Sequence, residues 1–231
     1  MAFIFPPPAV YSLAVASEEA RFPINRIFCI GRNYAEHARE MGKDPERDPP
    51  FFFMKPANAI VQAGKGEISI PYPSKTQNFH YEVELVVAIR KGGSDIDSAD
   101  ANEHVFGYAV GLDMTRRDLQ LEAREKGRPW EFGKSFSKSA PIGPIHRAEG
   151  RPIDDASIKL AVNGQVKQLS NVSQLIWSVA ESIAHLSQFD ALEPGDLIMT
   201  GTPAGVGPVV RGDLMTAAIE KLGQIQVRVD D

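Results

Sequence analysis

The stretch NFHYEVELVVAI, residues 78–89, limits the folds open to this chain. Read as a strand, its odd positions Phe79, Tyr81, Val83, Leu85, Val87 and Ile89 share one apolar face. Its even positions begin with His80, Glu82 and Glu84, then turn apolar at Val86 and Ala88. A strand with one solvated face stays polar along that face. Here the second face becomes apolar just beyond two carboxylates, so something must offset their charge.

The rest of the chain reads as short strands joined by tight turns. Its 17 Pro and 19 Gly are spread along the 231 residues, with no internal repeat and no low-complexity linker. Residues 1–24 read as a short lead-in with one or two strands, and residues 25–231 as a single domain. RIFCIG (26–31) is a buried strand, followed by a short helix from Asn33 as cap, with Glu36 completing a capping box and Gly42 as stop. The loop KDPERDPP (43–50) cannot be regular structure.

FGYAVGLDMT (106–115) is an apolar strand ending on Asp113, and residues 116–127 have helical spacing with Leu119 and Ala123 on one side and Gly127 as a stop. Asn163-Gly164 between alternating runs predicts a hairpin. Residues 173–189 predict an amphipathic helix capped by Ser173. EPGD (193–196) and RGD (211–213) read as turns, and GQIQVRVDD as a final strand. More strand than helix, arranged in hairpins, points to an α+β fold on a rolled or sandwiched antiparallel sheet.

A net charge of −5 argues against a nucleic-acid footprint. The single cysteine, Cys29, rules out an internal disulfide framework and any multi-cysteine zinc site. No basic, apolar leader opens the chain, and no window approaches the ~20 apolar residues of a membrane span. A soluble cytoplasmic protein is expected.

Residues i and i+2 of a strand point the same way, so Glu82 and Glu84 can converge on one point. Leaving water together, they repel each other and lose solvation. A hard divalent cation relieves both costs, and Asp113, emerging from a strand end, is a natural third ligand. On residue types alone, a solvated strand face and a turn-starting Asp113 explain the pattern equally well.

Ordered motifs break that tie. GRNYAEHAREMG, FFFMKP, HYEVEL, LDMTRRDLQ, GKSF and IMTGTPAGVGP occur at spacings that resemble the fumarylacetoacetate hydrolase family, over about residues 26–219. The likeness is greatest to its short, single-domain acylpyruvate hydrolase branch. The resemblance implies a mixed β-sandwich roll, a homodimer, and Mg²⁺ or Mn²⁺ held by Glu82, Glu84 and Asp113.

It also implies metal-dependent hydrolysis of a C–C bond in an acylpyruvate, with fumarylpyruvate of gentisate breakdown as the leading substrate. Oxaloacetate decarboxylation or enol–keto isomerisation on the same metal platform is the runner-up, and a silent metabolite-binding protein a third reading.

The resemblance assigns roles to further residues. His37 and Glu40, at i and i+3 on a helix, would form a water-activating dyad on a lid tethered by residues 43–50. Lys134 would stabilise the developing oxyanion. Lys55, Arg117 and Gln120 would contact substrate, with Arg32 a candidate for a far carboxylate. TGTPAGVG (200–207) lacks the ending of a phosphate loop, and reads instead as a turn whose Gly201 backbone and Thr202 hydroxyl bind the pyruvoyl carboxylate.

Overall fold

A computed structural model describes residues 3–7, 9–36, 48–64 and 66–230. Two mixed sheets form the body. The larger runs, in spatial order, Phe51–Lys55, Ile27–Gly31, Leu197–Met199, Val83–Ile89, Val105–Leu112, Ala140–Ile142 and Ile60–Gln62, with His146–Arg147 also pairing on Val105–Leu112. The second runs Gln165–Asn171, Ser157–Val162, Leu214–Ile219, Gly223–Val229 and Glu67–Ile70. Most pairings are antiparallel, with parallel neighbours at Leu197–Met199/Ile27–Gly31, Ala140–Ile142/Ile60–Gln62 and Gly223–Val229/Glu67–Ile70. This is the expected α+β architecture, a mixed β-roll with only short helices.

The strand Val83–Ile89 is buried along its whole length. Val83, Leu85, Val87 and Ile89 face a core shared with Ile158, Leu160, Ala217, Ile225 and Val227 of the second sheet. Val86 and Ala88 face a second core with Ile27, Cys29, Ala109, Ile142, Leu197 and Met199. Leu13, Val15, Phe22 and Ile24 close that second core from the N-terminal hairpin Ser12–Ala14/Arg21–Pro23. Both faces of the strand are therefore dry beyond Glu84, as the alternation required.

The expected single strand over 79–90 is two. Phe79–Tyr81 pairs with Thr115–Arg116 and Gly207–Val209 in a small sheet, whereas Val83–Ile89 pairs with Leu197–Met199 and Val105–Leu112 in the large one. Glu82 sits at the change of partners, its carbonyl taking the Asp113 N–H at 2.9 Å.

The helix expected over 173–189 begins later. Its helical residues are Val179–Phe189, capped by Ser178, whose hydroxyl accepts the Glu181 N–H while Glu181 reaches back to the Ser178 backbone. Residues 173–177 are drawn out of it by tertiary bonds: Leu175 bridges Tyr34, and Trp177 N–H donates to Asn33 Oδ1 at 2.7 Å. Asn33, expected as a helix cap, also donates to the carbonyls of Trp177 and Thr200, and the helical residues after it start only at 35. The predicted hairpin is present, with Asn163 (φ 49) and Gly164 (φ 80) both left-handed, as its two-residue turn demands.

The EPGD turn is anchored by a buried charge. Asp196 has no exposed side-chain surface and accepts from Arg26 Nη2 at 2.7 Å, Arg26 Nε at 3.1 Å, Asn25 Nδ2 at 3.0 Å and the Glu193 N–H at 2.8 Å. Removing one partner of such a pair strands the other. Asp196→Ala is expected to cost about 3–5 kcal/mol in urea unfolding, since among the described residues Arg26 then keeps only the exposed Asp190 as a salt-bridge partner.

Candidate metal centre and active site

The strand ladder assembles the site. Met199 lies opposite Val86, so two residues further along the turn Gly201 meets Glu84, and its N–H donates to Glu84 Oε2 at 2.8 Å. Gly201 has φ 97, and a Cβ there would stand 2.8 Å from Asn33 Cβ, so no other residue fits this close turn. Glu84 lies opposite Gly111 and Val83 opposite Leu112, which brings Asp113 beside the Glu pair as its strand ends. Glu82, Glu84 and Asp113 are buried, and each offers an oxygen within 4.8 Å of the others.

Among the described residues, three cations answer two of the three acids. Lys134 Nζ lies 2.7 Å from both Glu82 Oε2 and Asp113 Oδ2. Arg117 pairs with Glu82 Oε1, and Lys55 Nζ lies 2.8 Å from Asp113 Oδ1. Burial opposes the charge on Lys134, but Asp113 and Glu82 outweigh it and hold the ammonium above the ordinary lysine value.

Among the described residues Glu84 has no such partner. Burial, then repulsion from Asp113 and Glu82, pushes its carboxyl well above the usual carboxylate range, and Lys134 and the Gly201 N–H offset this only in part. An unrelieved carboxylate next to two paired ones fits a hard divalent cation, which binds all-oxygen donor sets.

The pocket over the carboxylates is also lined by Arg32, Arg117, Gln120, Lys134 and Thr202. These five of the expected site residues are thus brought together with the three acids, and Gly201 touches Glu84 from behind. Lys55 is placed differently. It is 1 % exposed, lies behind Asp113, and donates to Met114 O (3.2 Å), Ser139 Oγ (2.9 Å) and Lys134 O, all within the protein. The Thr202 hydroxyl donates to Val83 O at 2.9 Å and accepts from Gln168 at 2.9 Å. His37 and Glu40 lie outside the described residues, as do 43–47 of the lid tether.

The helix Arg117–Glu125 turns Arg117 and Gln120 to the pocket, as their one-turn spacing implies. It buries Arg117 and Gln120, while Leu119 and Ala123 remain partly exposed. The pocket, not the apolar core, is what this helix faces, so its inner stripe is polar. Arg117 Nη1 donates to Gln120 Oε1 at 2.5 Å, holding the pair as one unit.

Several site neighbours escaped the sequence reading. Gln168 has no exposed surface; its Oε1 accepts the Val83 N–H at 3.0 Å, and its Nε2 donates to Pro203 O at 2.8 Å, tying the Glu82 corner to the 200–207 turn. Nothing in VKQL marks it, because the contact comes from the opposite sheet. Tyr34, 2 % exposed, has a hydroxyl with no hydrogen-bond partner among the described residues, and burial followed by the Glu84 charge raises its phenol. Phe53, Leu121, Arg124 and Trp130 complete the pocket walls.

A mixed β-roll with a buried all-carboxylate centre, faced by lysine and arginine, defines a class of protein whose acidic triad could bind a divalent metal. The family model for the fumarylacetoacetate (FAA) hydrolase C-terminal domain matches residues 26–230, and the chain belongs to this family. A fumarylpyruvate hydrolase from Ralstonia sp is 47 % identical over 186 residues, covering 80 % of this chain and 95 % of that one. The crystal structure of fumarylpyruvate hydrolase from Pseudomonas aeruginosa in complex with Mn²⁺ and pyruvate is 56 % identical, with a TM-score of 0.97 over 99 % of both chains. A mitochondrial oxaloacetate tautomerase from Mus musculus is 40 % identical over 204 residues, 88 % of this chain and 90 % of that one.

Proposed function

We propose that this chain is a metal-dependent acylpyruvate hydrolase that splits fumarylpyruvate into fumarate and pyruvate. The observation that carries the reading is the buried triad Glu82, Glu84 and Asp113 with Lys134 and Arg117 aimed at it. These three acids would hold Mg²⁺ or Mn²⁺. When bound, such an ion supplies Lewis acidity toward the oxygens of an oxo acid.

The chain's own groups do the rest. In R–CO–CH₂–CO–CO₂⁻, water adds to the distal carbonyl carbon and the bond from that carbon to the CH₂ breaks. The bond's electron pair leaves with the pyruvate fragment as its enolate, which then takes a proton at carbon. His37, oriented by Glu40, would remove the proton from water. Lys134, Arg117 and Gln120 would meet the negative charge that develops, in a site where burial strengthens each interaction. The 200–207 turn would hold the pyruvoyl carboxylate through its backbone; the Thr202 hydroxyl, expected as a direct ligand, instead donates to Val83 O and fixes that turn. Lys55, spent on Asp113 and on backbone carbonyls, acts as a positioning residue behind the site.

Residues 25–231 work as one catalytic domain, with 1–24 as a lead-in that seals the second core. The proposed setting is a cytoplasmic homodimer in the breakdown of aromatic acids through gentisate. No helix among the described residues is long and apolar enough to cross a membrane.

The test mixes protein, Mg²⁺ or Mn²⁺, and fumarylpyruvate, and follows loss of the diketo absorbance together with pyruvate release. Turnover no greater than that of an E84Q control would overturn the reading. The likeness to an oxaloacetate tautomerase keeps a second reading in play, decarboxylation or enol–keto isomerisation of oxaloacetate. His37→Ala separates them. Losing the general base is expected to slow hydrolysis about 10²–10⁴-fold. Isomerisation and decarboxylation need only enolate stabilisation, so an unchanged main activity in H37A assigns the chain to them.

A further inference from the structure

The helix Arg117–Glu125 carries Arg117, Gln120, Leu121 and Arg124 toward the pocket, one stripe at helical spacing. From Arg117 to Arg124 the stripe rises about 10 Å, from the carboxylate cluster to the pocket mouth. At the mouth Arg124 meets Arg32, and among the described residues neither makes an ion pair with a carboxylate. Burial and then the Arg124 charge pull the Arg32 guanidinium below its ordinary value, with Asp48 opposing.

Arg32 is held there by construction. Its backbone is left-handed, φ 60, a conformation that is uncommon outside glycine. Its guanidinium lies 5.3 Å from the centre of the Phe51 ring. That ring fits only because residue 31 is glycine: a Cβ on Gly31 would stand 2.0 Å from Phe51 Cζ. Phe51 in turn meets Trp130 edge-on at 5.2 Å. An unusual backbone, an omitted side chain and a ring platform together fix a cation that faces another cation. An anion seated between them would relieve their repulsion. The same pocket has an apolar part to its lining, from Ile30, Phe53, Leu121 and Trp130.

We infer that Arg32 and Arg124 form a second carboxylate subsite, which selects acylpyruvates whose acyl chain is flat, apolar and ends in a carboxylate. The inference rests on the acylpyruvate reading of the inner site, and it adds Arg124 as a specificity determinant. The substrate then has an anion at each end, one at the cation-binding centre and one at the mouth.

Two matched pairs test it on the metal-loaded protein. The first compares kcat/KM for fumarylpyruvate and acetylpyruvate, which differ in whether the acyl chain ends in a carboxylate. Wild type is expected to prefer fumarylpyruvate, and the preference is expected to fall about tenfold in R124Q and about 100-fold in R124E or R32Q/R124Q, the range of charge-assisted hydrogen bonds. The second compares Kd by calorimetry for fumarate and crotonate, which share a skeleton and differ by one carboxylate. R124E is expected to lower the fumarate advantage about tenfold.

Ratios unchanged within about twofold in a folded R124E protein would overturn the subsite. If wild type turns over neither diketo acid but R124E still loses the fumarate advantage, the subsite stands and the hydrolase reading falls.

Discussion

Replacing Glu84 with glutamine is expected to abolish divalent-metal binding and turnover while making the metal-free protein more resistant to unfolding. The two effects share one cause. Glu84 is buried beside Asp113 and Glu82, and among the described residues only a backbone N–H hydrogen-bonds its carboxylate. Its charged form is therefore penalised, and the neutral amide removes that penalty without changing shape. The same amide deprives a hard cation of one of three anionic oxygens. Loss of outer contacts to a metal ligand typically costs 10–100-fold in affinity, so loss of the ligand itself is expected to cost more than about 100-fold.

A pH series gives an independent reading. The Glu84 carboxyl titrates above its unfolded value of 4.5 in the folded, metal-free protein. Its contribution to stability is fully present below that value and is lost as pH rises toward the folded one. Urea unfolding of the metal-free protein at several pH values should show this decline, and E84Q should not. Saturation with Mn²⁺ should reverse it, since a bound cation favours the ionised form. A metal-free E84Q protein that melts below wild type would contradict the account of Glu84 as an unrelieved charge.

Lys134→Met is expected to have the other large effect. The ammonium sits 2.7 Å from an oxygen of Glu82 and one of Asp113, and it is 2 % exposed. Its removal takes from two buried carboxylates the one ammonium that bridges them among the described residues, which should cost about 3–5 kcal/mol in the absence of metal. Adding Mg²⁺ or Mn²⁺ should return part of that stability, because a second cation then serves the same oxygens. Turnover should stay about 10²–10³-fold below wild type even when the fold is restored, since a preorganised donor to developing charge is missing. Chemical denaturation with and without metal, alongside kcat, separates the structural loss from the catalytic one. Equal stability of K134M and wild type without metal would show that the ion pairs do not hold the site together.

Much of this centre was legible in the sequence because it depends on a period of two. Glu82 and Glu84 interrupt an alternation that otherwise predicts a dry strand, and Asp113 follows an apolar run that has to end at a surface or a site. The break at Glu82 was not legible, since no glycine, proline or turn residue marks a strand that merely changes neighbours. In the Arg117–Glu125 helix the one-turn spacing of Arg117 and Gln120 was legible, and it is this polar side, not Leu119 and Ala123, that the fold buries. The late start of the Val179–Phe189 helix had a local sign in Ser178 and Glu181, three apart, yet the bonds from Asn33 that unwind residues 173–177 come from distant sequence. Arg124 carries no mark at all, being an ordinary exposed residue until the fold sets it opposite Arg32.

The change of partners at Glu82 has a bearing on how a finished molecule can be recognised. Glu84 and Asp113 come from adjacent strands of the large sheet, but Glu82 marks where the chain joins the small one. A chain with the small sheet misplaced keeps two carboxylates in register and loses the third from the chelate. Under the proposed metal-binding role, uptake of the ion would report correct assembly, because the three carboxylates converge only in molecules whose two sheets have joined correctly.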